Sequence, residues 1–126
     1  MPDLAREVRA GERKERFVGT ADQPNYFRVP YGPGWALVGD AGYHRDFLTG
    51  LGITDAFRDA ELVAQAVDAG LNGTPPMDES LAGYQTKRDT LAKPLYDFTI
   101  KMASGTFPEP DDWMAFGMTM AKMINS

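Results

Sequence analysis

Apolar and polar positions along the chain fall into three regimes. Up to about residue 34 the apolar residues are sparse and irregular, at Trp35-Ala36-Leu37-Val38 they form one brief run, and from Ile53 onward they recur every three or four positions. In the first regime, residues 2–10 read as a short helix, with Pro2 tolerated in its first turn, Leu4 and Val8 on one side and Gly11 as the stop. Residues 16–20 and 26–29 read as two strands joined by residues 21–25, and Pro30-Tyr31-Gly32-Pro33-Gly34 as a turn, because two prolines and two glycines in five residues suit neither helix nor strand interior. The run Trp35 to Val38 does not alternate, which predicts a buried strand covered on both faces, as in a parallel sheet flanked by helices.

The rhythm of Ile53, Ala56, Phe57, Ala60, Val63, Ala64 and Val67 predicts an amphipathic helix ended by Gly70, with Asp55, Arg58, Asp59, Gln65 and Asp68 mostly on its outer side. After the loop Asn72 to Pro76, Asp78 is a plausible N-cap for a third helix carrying Leu81, Tyr84, Arg88, Leu91, Leu95, Phe98 and Met102. Pro94 should kink or interrupt that helix. Beyond the break at Gly105, Pro108 and Pro110, Asp111 or Asp112 caps a last helix bearing Trp113, Phe116, Met120 and Ile124; Met114, Met118, Met120 and Met123 read as core filler.

The junction between the second and third regimes carries the candidate chemistry. A strand ending in Gly39-Asp40, a loop with Gly42, Gly50 and Gly52, and then a helix place an open crevice at the strand's carboxyl end, where open α/β sheets put ligands. Asp40 is a carboxylate able to accept hydrogen bonds from the hydroxyls of a ribose or ribityl chain. The glycines around Leu51 allow close backbone approach, and the first amides of the helix, near Ile53 and Thr54, are unpaired donors at the positive end of a dipole. Spacing alone leaves a ligand site and a plain structural turn both open.

Composition removes several other classes. At 126 residues the chain has the size of one domain, and its 43% hydrophobic and 25% charged content are those of a globular protein. No apolar run approaches the roughly 18 residues of a membrane span, and residues 1–10 contain no apolar signal region, so a cytoplasmic protein without membrane contact is expected. The net charge of −5 argues against nucleic acid as a partner, and Glu12 and Glu15 dilute the basic stretch Arg9, Arg13, Lys14, Arg16. Absence of cysteine excludes disulfides and thiolate chemistry. A metal site from His44, Asp40 and Asp46 is disfavoured by the single His; no Ser sits in a nucleophile turn, and no Lys-Ser or Lys-Thr pair follows the glycines.

Residues 39–60, GDAGYHRDFLTGLGITDAFRDA, resemble the second flavin-binding motif of the single-component FAD-dependent aromatic hydroxylases and related flavoprotein oxidoreductases. The likeness extends more loosely over residues 15–100. It implies an α/β family fragment, predominantly α-helical with a few short β-strands, corresponding to the C-terminal part of an FAD-binding Rossmann-like domain. On that reading residues 1–33 are a remnant of the substrate domain's helix, strands and turn, and residues 34–126 are the C-terminal part of the FAD-binding domain with a helical tail, all in one unit. The resemblance places Asp40 on the FAD ribose, Gly39 and Ala41 beside it near the pyrophosphate, and Leu51, Gly52, Ile53 and Thr54 along the pyrimidine edge of the isoalloxazine. It implies an FAD-dependent oxidoreductase, a monooxygenase by preference, with NAD(P)H as reductant and a small-molecule substrate.

The sequence departs from the family in two ways. Phe47 stands where many relatives have a proline, with stacking on a flavin edge and core filling as alternative roles. The opening Gly-x-Gly-x-x-Gly turn and the middle Asp-Gly motif have no match, which implies the C-terminal segment of a larger enzyme, incomplete by itself for FAD binding and catalysis. Such a segment is expected to self-associate through the strand at Trp35 to Val38 or through helix faces, or to pair with a missing N-terminal flavin domain. Arg28, Tyr31 and Trp35 either border a substrate pocket or serve as strand surface, turn packing and core. The alternative to a flavoenzyme segment is a noncatalytic helical binding or assembly module derived from the same fold.

Overall fold

Four helices carry more than half of the chain. The computed structural model describes residues 2–106 and 108–124, in which α1 (Pro2–Ala10), α2 (Gly52–Leu71), α3 (Met77–Ala103) and α4 (Pro110–Ile124) enclose four two-residue strands between α1 and α2. The strands are β1 (Tyr26–Phe27), β2 (Tyr31–Gly32), β3 (Trp35–Ala36) and β4 (Tyr43–His44); single helical turns occupy Gly39–Ala41 and Phe47–Thr49. The expected character, mostly helical with a few short strands, is present, and among the described residues no helix is long and apolar enough to cross a membrane.

The sheet differs from the expected one. Both strand pairs are antiparallel: β1 with β4, in register Tyr26 to His44 and Phe27 to Tyr43, and β2 with β3, Tyr31 to Ala36 and Gly32 to Trp35. The run Trp35 to Val38 is therefore not a buried parallel strand. Pro33 and Gly34, the latter at φ 81°, fold it back on Tyr31–Gly32, and a two-residue connection can only make a hairpin. Trp35 lies over Gly32, where an added Cβ would meet the indole at 2.7 Å, and stays half-exposed. The run lacks alternation because it is short, not because two helical layers cover it. Residues 16–20 form no strand at all; Phe17 and Val18 are exposed, and Phe17 carries the Arg13 guanidinium over its ring at 5.1 Å.

The α2–α3 pair is the frame. Leu81, Tyr84, Leu95 and Phe98 of α3 are buried, as their spacing predicts; Ala92 is buried in place of Leu91, which is half-buried, and Ala66 of α2 packs with Leu81 and Tyr84 beneath Tyr31, Leu62, Val63, Val67 and Met77. The helix starts at Met77 with Pro76 in the capping position and no side-chain cap, so Asp78 is inside the helix and not its cap. It also runs unbroken through Pro94. Fully buried Ala92 and Leu95 flank the proline, and packing at that level outweighs one missing backbone hydrogen bond. Asp111 and Asp112 likewise lie inside α4, where Asp112 reaches back from the first turn to accept from the Glu109 amide at 2.9 Å. Phe98 receives Phe116 in a stack at 4.6 Å and Trp113 edge-on at 4.9 Å. Met114 and Met118 are exposed and do not fill core.

The largest correction concerns α2. Ile53 and Phe57, expected on its inner side, are exposed, whereas Asp55 and Asp59, expected outside, are buried. The first half of the helix turns its charged side inward because buried cations meet it there, as described below.

Leu95, with no exposed surface, tests the frame: Leu95→Ala is expected to cost about 2–5 kcal/mol of unfolding free energy. Urea denaturation measures it, and a loss under 1 kcal/mol would show that α3 is not packed there as described.

Candidate functional site

Two turns and a helix start build the groove. After the extended Val38, Gly39 takes φ 52° and is buried against α2; a Cβ there would lie 2.9 Å from the Ala56 Cβ. The positive φ and the close approach both require glycine. The Gly39 amide donates to Asp59 Oδ2 at 3.3 Å, the Tyr26 hydroxyl donates to the Asp40 carbonyl at 2.6 Å, and Arg28 Nη1 donates to the Ala41 carbonyl at 3.1 Å. Thus the backbone of the turn is held from both sides while the Asp40 side chain stays exposed.

The second turn begins at Asp46, whose Oδ1 accepts from the Leu48 amide at 3.0 Å, and ends at Gly50, φ 64°. Leu51 follows as the N-cap of α2 and offers no side-chain cap. The first helical bond runs from the Asp55 amide to the Leu51 carbonyl at 3.0 Å. The amides of Gly52, Ile53 and Thr54 precede it and have no intrahelical acceptor.

Between these turns lies a groove of about 260 Å³. Of the residues the sequence singles out, Gly39, Asp40, Leu51, Gly52 and Ile53 line it, and Asp40 Oδ1 sits 3.9 Å from the position a Cβ on Gly52 would take. The acid therefore stands beside the opening of the helix, and both line one groove. Ala41 and Thr54 do not line it; the Ala41 carbonyl is taken by Arg28, and Thr54 lines a separate depression with Phe57, Arg58, Glu61 and Met123. Phe47 is exposed at the groove and fills no core. Arg28 braces the turn, while Tyr31 and Trp35 belong to the hairpin.

Sequence reasoning missed the wall behind the groove. Arg45, buried, pairs with Asp55 Oδ2 at 2.5 Å. Arg58 bridges Asp55 Oδ1 and Asp59 Oδ1, each at 2.7 Å, and donates to the Tyr43 hydroxyl at 2.8 Å. Next to them Arg88, fully buried, pairs with Asp89 at 2.7 Å, donates to the Arg28 carbonyl at 2.9 Å and lies 4.7 Å over the Phe27 ring. Burial pushes the Tyr43 hydroxyl well above its ordinary range against the opposing Arg58 charge. Burial also works against the Arg58 charge, but Tyr43, Asp55 and Asp59 outweigh it and hold the guanidinium more firmly protonated. The available signal was the Asp55-Arg58-Asp59 spacing within one helical turn, which reads equally well as a solvated face.

His44, half-buried on β4, also lines the groove; its Nδ1 lies 2.8 Å from the Pro24 carbonyl. A carbonyl can only accept, so the neutral ring carries its proton on Nδ1 and presents Nε2 as an acceptor. Among the described residues no cluster of three or more His, Cys, Asp or Glu is arranged to hold a metal ion.

Comparison with known proteins finds no match for this chain among protein-family models, curated proteins or solved structures.

Two variants probe the wall. Gly39→Ala combines a left-handed backbone with a 2.9 Å clash and is expected to cost about 1–3 kcal/mol in denaturant unfolding; an unchanged midpoint would mean that the turn is not seated on α2. Asp59 answers to pH. Burial raises its pKa, although Arg58 and the Gly39 amide oppose the shift, so the folded chain binds this proton at a pH where the unfolded chain does not. Its contribution to stability therefore falls as pH rises through that window. Relative to Asp59→Asn, the wild type is expected to gain stability as pH drops from neutral through the raised value and to level off below the ordinary Asp range. Parallel pH profiles of the two proteins would contradict this.

Proposed function

We propose that this chain carries the flavin-contacting segment of an FAD-dependent oxidoreductase, a monooxygenase by preference. The observation that supports the reading is the single groove lined together by the Asp40 carboxylate and by Gly52 and Ile53, whose amides have no intrahelical acceptor. The donor set suits the ribose or ribityl hydroxyls and the carbonyl-bearing edge of an isoalloxazine. Bound FAD supplies the electron transfer and oxygen chemistry, with NAD(P)H as its reductant. This chain's part is to orient it: Asp40 accepts hydroxyl hydrogen bonds, the helix amides donate to ring carbonyls and favour negative charge developing there, and Gly52 lets the ring approach. Gly39 and Ala41 act through the turn that carries Asp40. A complementary polypeptide segment supplies the rest of the nucleotide site, and substrate is a small molecule held largely outside these residues.

A noncatalytic assembly module is the second reading. It draws on the exposure of Ile53 and Phe57, one turn apart on α2, with Phe47 and Leu48 exposed nearby in sequence.

Flavin binding separates the two. At most weak quenching of FAD fluorescence by the chain alone is expected, and Asp40→Ala should weaken it about 10- to 100-fold further, the equivalent of about 1.5–3 kcal/mol for hydrogen bonds to a charged group. Gly52→Ala places a methyl 3.9 Å from Asp40 Oδ1 without steric conflict. It should weaken binding while leaving the melting temperature unchanged. If neither substitution alters affinity, the groove is not where flavin binds.

A further inference from the structure

The groove carries more than a place for a ligand; its charges say which part of a ligand enters. Three carboxylates line it, on Asp40, Asp46 and Asp55, against one guanidinium, on Arg45. That guanidinium is already matched to Asp55 at 2.5 Å. Arg45 is more than nine-tenths buried, being 8% exposed, and its Nη1 has no hydrogen-bond partner. A ligand carbonyl would complete the amides of Gly52 and Ile53. A phosphate placed there would instead meet two unmatched carboxylates, Asp40 and Asp46, whose like charge repels it in water and more strongly in a partly enclosed site. Asp40, Asp46 and the Nε2 of His44 ask for hydroxyl or N–H donors. The volume of about 260 Å³ lies just under the roughly 300–1,000 Å³ of typical small-molecule sites, enough for a ring and part of a polyol but not for a dinucleotide.

We infer that the groove selects the uncharged portion of its ligand, a carbonyl-bearing planar ring with a polyhydroxylated chain, and rejects phosphate, so that a phosphate-free flavin binds this chain more tightly than its phosphorylated forms. The inference rests on the flavin reading above and gives it a specificity. Any diphosphate of FAD is then held away from the groove.

Titrations of the chain with riboflavin and FMN at low ionic strength, followed by flavin fluorescence, test it. Riboflavin is expected to bind at least threefold more tightly, the gap shrinking toward unity at 0.5 M salt as the carboxylates are screened. Asp46→Asn keeps an oxygen for the Leu48 amide and should close most of the gap by strengthening FMN binding relative to riboflavin, with the melting temperature unchanged. FMN binding as tightly as riboflavin, with no response to Asp46→Asn, overturns phosphate rejection and leaves the flavin reading standing. Binding of neither compound overturns the flavin reading, and phosphate rejection with it.

Discussion

Everything near the groove depends on charges held out of water. Asp55 and Asp59 enter the interior from the first two turns of α2, and Arg45 and Arg58 meet them there. A buried ion pair adds little net stability compared with an apolar pair of the same volume, because desolvation offsets the attraction, but removing one partner leaves a charge stranded at a cost of about 3–5 kcal/mol. The network therefore acts chiefly on geometry. It admits one arrangement of the 39–45 segment on α2, in which Asp59 takes the Gly39 amide and Asp55 takes Arg45.

The strands could not impose that arrangement alone. Each pairs only two residues, and a two-stranded ribbon of that size is not stable in water. They are held from α3 instead: the Tyr84 hydroxyl donates to the Leu37 carbonyl at 2.6 Å, and Arg88 to that of Arg28 at 2.9 Å. Both side chains are essentially buried. Burial pushes the Tyr84 hydroxyl up to about 12, so it remains a donor throughout the physiological range. Between them, α2 fixes the floor of the groove and α3 fixes the segment that forms its rim.

What was legible in the sequence follows from the range of the forces involved. The helices were legible because spacing, glycine stops and proline starts are local, and the nearness of Asp40 to the 51–53 loop was legible because the glycines between them mark a turn that leads into a helix start. The parallel sheet was misread because Trp35 to Val38 carries no information about its partner; Pro33 and Gly34, read as a mere turn, were the hairpin itself. The inner face of α2 was misread for a deeper reason. Periodicity assumes that apolar residues go inside, and Asp55, Arg58 and Asp59 are admitted only by Arg45 and Tyr43, which lie 10 to 16 residues earlier and carry no periodic mark.

Asp55 joins these themes. An acid in the first turn of a helix neutralises part of the positive field of the dipole, and here the same carboxylate also binds the Arg45 guanidinium that lines the groove. That guanidinium is thereby engaged within the protein and offers no long-range attraction to an anion. What survives is short-ranged and directional: amides of Gly52 and Ile53 that need an acceptor, and an Asp40 carboxylate that needs a donor. A surface stripped of net attraction but rich in oriented donors and acceptors discriminates by hydrogen-bond pattern more than by charge, which favours neutral, polyfunctional molecules over simple anions.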